Sequence, residues 1–210
     1  MLTMKKMITK FALKHPDFGI PGLMRYIAIA NAIFLVLGYI KPSFISYLAF
    51  NLPAIFSGQI WRIISFVFIP PSTSILGIIA IYFYYVIGNT LEQYWGTTRF
   101  TLFILCGYVL TVLFGIIMFV VFRIIIELSA SYIFLSMFLA FALLFPDAQA
   151  LYMFIIPIKM KYLALIDLAF FVIEIFVSSF PVNLLPIIAI LNVVLFCYDE
   201  IKYAFNFKRK

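Results

Sequence analysis

The sequence predicts an all-α, polytopic membrane protein: six transmembrane helices, a membrane-embedded first loop, and both termini cytoplasmic. Three observations carry that expectation. The first is composition. The chain has 210 residues, 66% hydrophobic and 11% charged, with a mean hydropathy of +1.18. A soluble domain runs nearer to about 45–50% apolar and about 25% charged, and a globule of this size has too little interior to hide the excess. Soluble enzymes, disordered tails and secreted disulfide modules are therefore excluded. Cys106 and Cys197 both lie inside apolar runs and make no disulfide framework or zinc spacing.

The second observation is the number of apolar runs long enough for a bilayer core, which needs about 20 residues per helix. They fall at about 26–47, 73–91, 100–122, 128–146, 161–179 and 184–203. The runs are continuous rather than alternating, which excludes a barrel. Backbone groups in lipid must be satisfied within the segment, so each run reads as a helix. The third observation is where the cations sit. Of fifteen Lys and Arg, only Lys41, Arg62 and Arg123 fall on the side opposite the termini. The excess of cations marks the cytoplasmic side, and an even number of spans returns the chain to the side it started from.

Three segments follow. Residues 1–24 form a cytoplasmic stretch: Met4, Met7, Ile8 and Phe11 at helical spacing, interleaved with Lys5, Lys6, Lys10 and Lys14, predict a short amphipathic helix on the membrane surface rather than a signal peptide. The breaks at His15-Pro16-Asp17 and Ile20-Pro21-Gly22 end it. Residues 25–204 are the membrane domain, and 205–210 a basic cytoplasmic tail for which anionic lipid is a sufficient partner. Between the first two runs, about 48–72, the chain is too long for a tight turn and too apolar for water. It reads as a re-entrant or interfacial element, which survives at that depth only when protein covers it.

Within that element stands Ser57-Gly58-Gln59-Ile60-Trp61-Arg62. Gly88-Asn89-Thr90-Leu91-Glu92 closes the second run, Trp95-Gly96-Thr97-Thr98-Arg99-Phe100 opens the third, and Leu143-Leu144-Phe145-Pro146 ends the fourth. In order and spacing these strings resemble the rhomboid superfamily over about residues 45–200. The residues also have a physical reading of their own. Arg62 in an apolar loop needs loop carbonyls, with Trp61 anchoring at the interface. Glu92 caps the next turn or pairs with Arg99, and Gly96, which with Gly88 belongs to the motif, permits the tight turn.

The resemblance also implies a test for chemistry. Active rhomboids use a Ser in Gly-x-Ser-Gly at the top of the fourth span, a His on the sixth as base, and a His and an Asn on the second at the oxyanion. Here Ser131 falls at the nucleophile position, but Tyr132 replaces the following Gly, Leu76 and Ala80 stand at the oxyanion positions, and residues 16–210 contain no His. A serine without a base is a poor nucleophile, and lost oxyanion donors remove a further ~10²–10³. The implied class is a derlin-like pseudoprotease that binds partner or client transmembrane proteins, in quality control or trafficking. An active protease using Ser131 and a small transporter are the alternatives. The transporter would need polar residues along facing helices, of which Asp167, Glu174 and Asn192 are the candidates.

Asp167 and Glu174 lie seven residues apart in the fifth run, about 700° of helix rotation, so they share a face. That face is the candidate client-binding surface. Gly107, Thr111 and Gly115, four apart in the third run, let another helix approach closely, within the bundle or in a second copy. No cofactor or metal motif is present. The bilayer and partner membrane proteins are the expected partners, nucleic acid is not, and the expected location is a bacterial cytoplasmic membrane rather than the endoplasmic reticulum.

Overall fold

The computed structural model describes residues 10–74, 76–152, 156–177, 180 and 182–207. It is helical over most of its length. Residues 10–14 are helical; the rest of the predicted amphipathic segment, and the last three residues of the basic tail, lie outside the described residues.

Helix α1 spans Leu23–Ile40. The first apolar run thus stops seven residues early. Lys41 takes an extended conformation (φ −143°, ψ 94°), the geometry favoured for a residue that precedes a proline, and Pro42 begins a separate short helix α2, Ser43–Leu48. The first loop continues as α3 (Leu52–Phe56), α4 (Arg62–Ser65) and a 3-10 turn at Phe66–Phe68. Asn51 caps α3 by accepting from the Ala54 amide at 3.2 Å.

The remaining helices are α5 (Leu76–Trp95), α6 (Thr97–Phe122), α7 (Ser131–Leu144), α8 (Met160–Val177) and α9 (Pro186–Phe207). Two of them, α1 and α6, are long and apolar enough to cross a membrane. In α5, Tyr82, Tyr84 and Tyr85 and the polar end Asn89–Gln93 dilute the apolar character; α8 carries Lys161, Asp167 and Glu174; and α7 is about 21 Å long at 1.5 Å per residue. Residue Cys197 interrupts α9 with non-helical angles (φ −110°, ψ 24°).

One departure from the all-α expectation lies between α7 and α8. Strands β1 (Gln149–Tyr152) and β2 (Ile156–Lys159) pair antiparallel, Gln149 opposite Lys159 and Leu151 opposite Pro157. The β-branched Ile156 and Ile158 favour the pleated conformation.

The core forms around α7, whose buried residues include Ile133, Phe134, Ser136, Met137, Phe138 and Ala140. Its most extensive neighbour is α9, and α1 packs mainly on α5. Glycines set the close approaches. A Cβ on Gly88 would run into Met24 of α1, and one on Gly115 into Phe50 of the first loop. Gly107, Thr111 and Gly115 are all buried within this one chain. The segment before α7 is tied to the first loop by a bridge in which Phe50 and Leu128 exchange backbone hydrogen bonds of 3.0 and 3.1 Å.

Candidate functional site

The motif residues separate into two ends of the bundle. At one end Glu92, buried in the last turn of α5, accepts from the Gly22 amide at 2.9 Å and from the Thr97 hydroxyl at 3.1 Å. Gly96 makes that second bond reachable: at φ 82° it turns the chain as the single residue between α5 and α6. Thr98 donates to the carbonyls of His15 and Pro16, and the Ile20 amide donates to Thr101. The segment before α1 is thereby clamped onto the α5–α6 turn. Arg99 does not pair with Glu92. Its Nη2 donates to the Phe196 carbonyl at 3.1 Å, and its guanidinium lies 5.3 Å from the Trp95 ring.

At the opposite end Arg62 is 6% exposed. Its Nη1 donates to the carbonyls of Ser46 (2.6 Å) and Ala49 (2.8 Å), and its Nε to Gln59 Oε1 (2.7 Å). Charge-assisted bonds of this kind satisfy a guanidinium that water cannot reach. Trp61 is half exposed and donates to the Tyr47 carbonyl at 3.3 Å. Ser65 and Tyr108 add bonds to the Leu48 and Ile63 carbonyls, so the backbone of the first loop is held by side chains from α4 and α6.

Ser131 opens α7 and is exposed. Its Oγ lies 2.9 Å from Ser129 Oγ, and no other side chain bonds it among the described residues. Tyr132 reaches away to α8, donating to Glu174 Oε1 at 3.3 Å. Leu76, at the start of α5, is exposed. A hydroxyl hydrogen-bonded only to another hydroxyl has nothing at hand to take its proton.

The two carboxylates of α8 are both half-buried. Glu174 is engaged by Tyr132, and Asp167 lies within electrostatic reach of Tyr84 on α5, whose ring stacks on Phe134 of α7. Their shared face therefore turns toward the seam between α5, α7 and α8. The rest of α8 is open: only Met160 and Phe171 are buried, while Leu165, Phe170, Phe176 and Val177 are exposed.

A polar node lies in the middle of the bundle, around Asn192, which the sequence offered only as part of a transporter path. Asn192 of α9, fully buried, donates Nδ2 to Ser136 Oγ of α7 at 2.9 Å and to the Phe103 carbonyl of α6 at 3.4 Å. Gly107 makes room for it, since a Cβ there would sit 2.9 Å from Nδ2. The signal was an amide inside an apolar run, which must find partners when buried.

Two helices, α1 and α6, have the length and apolar composition to cross a membrane. Residues 22–197 match the eukaryotic integral membrane protein family DUF1751, and the chain belongs to that family. Comparison with curated proteins and with solved structures gives no match. The family corrects the expected location: it points to a eukaryotic membrane, not a bacterial one. The cation bias that oriented the chain has the same form in both kinds of membrane, so it carried no information on this point.

Proposed function

We propose that the chain is a rhomboid-like membrane protein without protease chemistry, which crosses the membrane six times with both termini in the cytosol and binds partner transmembrane proteins. The observation that carries the reading is the contrast between Ser131, whose hydroxyl is bonded only to Ser129 among the described residues, and α8, which buries two residues and offers a half-buried carboxylate face beside α5. An uncovered apolar helix next to a polar seam can receive another helix. Packing, small residues and interhelical hydrogen bonds drive such association in lipid.

A transporter would need polar residues open along a path; among the described residues Asn192 and Ser136 are fully buried and bonded to each other, which favours a packing role for that pair.

Photo-crosslinkers placed at positions 167 and 174 in native membranes are expected to capture other chains. Capture of the chain's own helices alone would overturn the partner-binding reading. A fluorophosphonate probe is expected to leave Ser131 unlabelled; labelling that disappears in Ser131→Ala would restore the protease.

A further inference from the structure

A cleft of about 530 Å³ lies at the end of the bundle opposite the α5–α6 turn, between the C-terminal end of α1, the first loop and the segment that follows α6. We propose that it holds the headgroup of an amine-bearing phospholipid, the ammonium at Glu127 and the phosphodiester toward Lys41. The inference does not depend on the client-binding reading, which uses a different part of the molecule.

Depth is the first argument. The two membrane-length helices, α1 and α6, begin together at the clamp formed by Gly22, Glu92 and Thr97, and so run the same way. Their other ends, at Lys41 and Arg123, lie about 27 and 39 Å along their axes at 1.5 Å per residue. A hydrocarbon core is about 30 Å thick, so this end lies at headgroup level. Exposed Tyr39 lines the cleft, and exposed Tyr47, which follows the lining residue Ser46, takes a hydrogen bond from exposed Trp61, aromatic residues of the kind found in an interfacial belt.

Charge is the second. Among the described residues the only carboxylate lining the cleft is Glu127, which is exposed, and no Lys, Arg or His lines it; around it the hydroxyls of Tyr39, Ser46, Thr73 and Ser129 can accept hydrogen bonds. One carboxylate oxygen takes a long bond of 3.4 Å from Asn51, and no other side chain bonds the carboxylate among the described residues. Arg62 lies behind the wall with its charge directed at the Ser46 and Ala49 carbonyls and Gln59. The site thus offers acceptors to a cation with N–H donors and repels a purely anionic headgroup. At the rim, exposed Lys41 adjoins the lining residue Pro42, where a phosphodiester attached to that amine would be balanced. Ile45, Ile69 and Leu128 supply apolar wall for the glycerol end. The volume lies within the range of about 300–1,000 Å³ common to small-ligand sites.

The test is native mass spectrometry of the full-length protein released from nanodiscs of phosphatidylcholine doped equally with phosphatidylethanolamine and phosphatidylglycerol. Phosphatidylethanolamine is expected to be retained about tenfold over phosphatidylglycerol, equivalent to about 1.4 kcal/mol. Glu127→Gln should bring the two to parity, and Thr73→Trp, which fills the cleft from an exposed position, should lower retention of the ethanolamine lipid. Asp147→Asn, at the other end, should change neither. Equal retention by the wild type, or an unchanged preference in Glu127→Gln, would overturn the proposal. Displacement of the lipid by millimolar soluble phosphoethanolamine would overturn the lipid as ligand in favour of the free headgroup.

Discussion

Helices α7 and α8 are neighbours in the chain and both apolar, yet they occupy opposite environments. Most of α7 is buried, whereas α8 buries only Met160 and Phe171. In water, apolarity separates inside from outside; in lipid it does not, because the solvent is as apolar as the core. Both helices carry two alanines, but those of α7, Ala140 and Ala142, are buried, and α7 adds Ser136, which takes a hydrogen bond from α9. What distinguishes α8 is bulk pointing outward, Phe170 and Phe176, with its carboxylates held toward the seam.

The largest expected effect breaks the comparison at its centre. Phe134→Ala in α7 removes a ring that is 2% exposed and stacked on Tyr84, and should destabilise by about 3–5 kcal/mol. Phe170→Ala in α8, with 62% of its surface exposed, should stay within about 0.5 kcal/mol. Reversible unfolding in mixed micelles compares them; equal effects would show that α8 is covered as α7 is.

A smaller effect is expected from Ser136→Ala, which leaves the Asn192 amide with the long bond to Phe103 alone. Interhelical bonds in membranes average well under their value in hydrocarbon, so a loss of about 1 kcal/mol is expected. Arg123→Gly should move stability the other way. Arg123 ends α6 in the left-handed region (φ 58°) with its N–H on the Met118 and Phe119 carbonyls, and glycine takes that conformation without the side-chain strain of about 1 kcal/mol. A melting temperature that falls would refute this.

The smallest effect concerns the joint between the two helices. Hydrogen bonds from Lys161 and Lys159 hold the exposed Asp147 carboxyl below its usual value of 3.8. A depressed carboxylate pKa contributes stability above the unfolded pKa and loses it as pH falls through the folded one. Any contribution of the joint should therefore be present above about pH 4 and fade below it, and Asp147→Asn should flatten the acid limb of the unfolding curve. An unchanged acid limb in that variant would remove the joint from consideration.

Much of the helix layout was legible because backbone in lipid has few choices: a long apolar run with no breaker becomes a helix. The split at Lys41-Pro42 was written in the proline and was passed over inside a run read as continuous. The hairpin at Gln149–Lys159 was not legible, since its apolar residues show neither helical nor strand periodicity strongly enough to separate from the flanking runs. At the site, the missing histidine was plain. The partners of Glu92 were not, because they depend on a turn at Gly96 that brings Thr97 back and sends Arg99 on to α9. A sequence shows that Arg62 needs acceptors, but not that they are the Ser46 and Ala49 carbonyls.

The interruption of α9 at Cys197 gives Arg99 a further part. Where a helix loses its regular angles, a nearby carbonyl becomes available to an outside donor, and the Phe196 oxygen takes the guanidinium from α6. The irregular turn of α9 is thus held from outside, by a side chain of α6. One guanidinium thereby joins the start of α6 to the point where the ladder of α9 is broken.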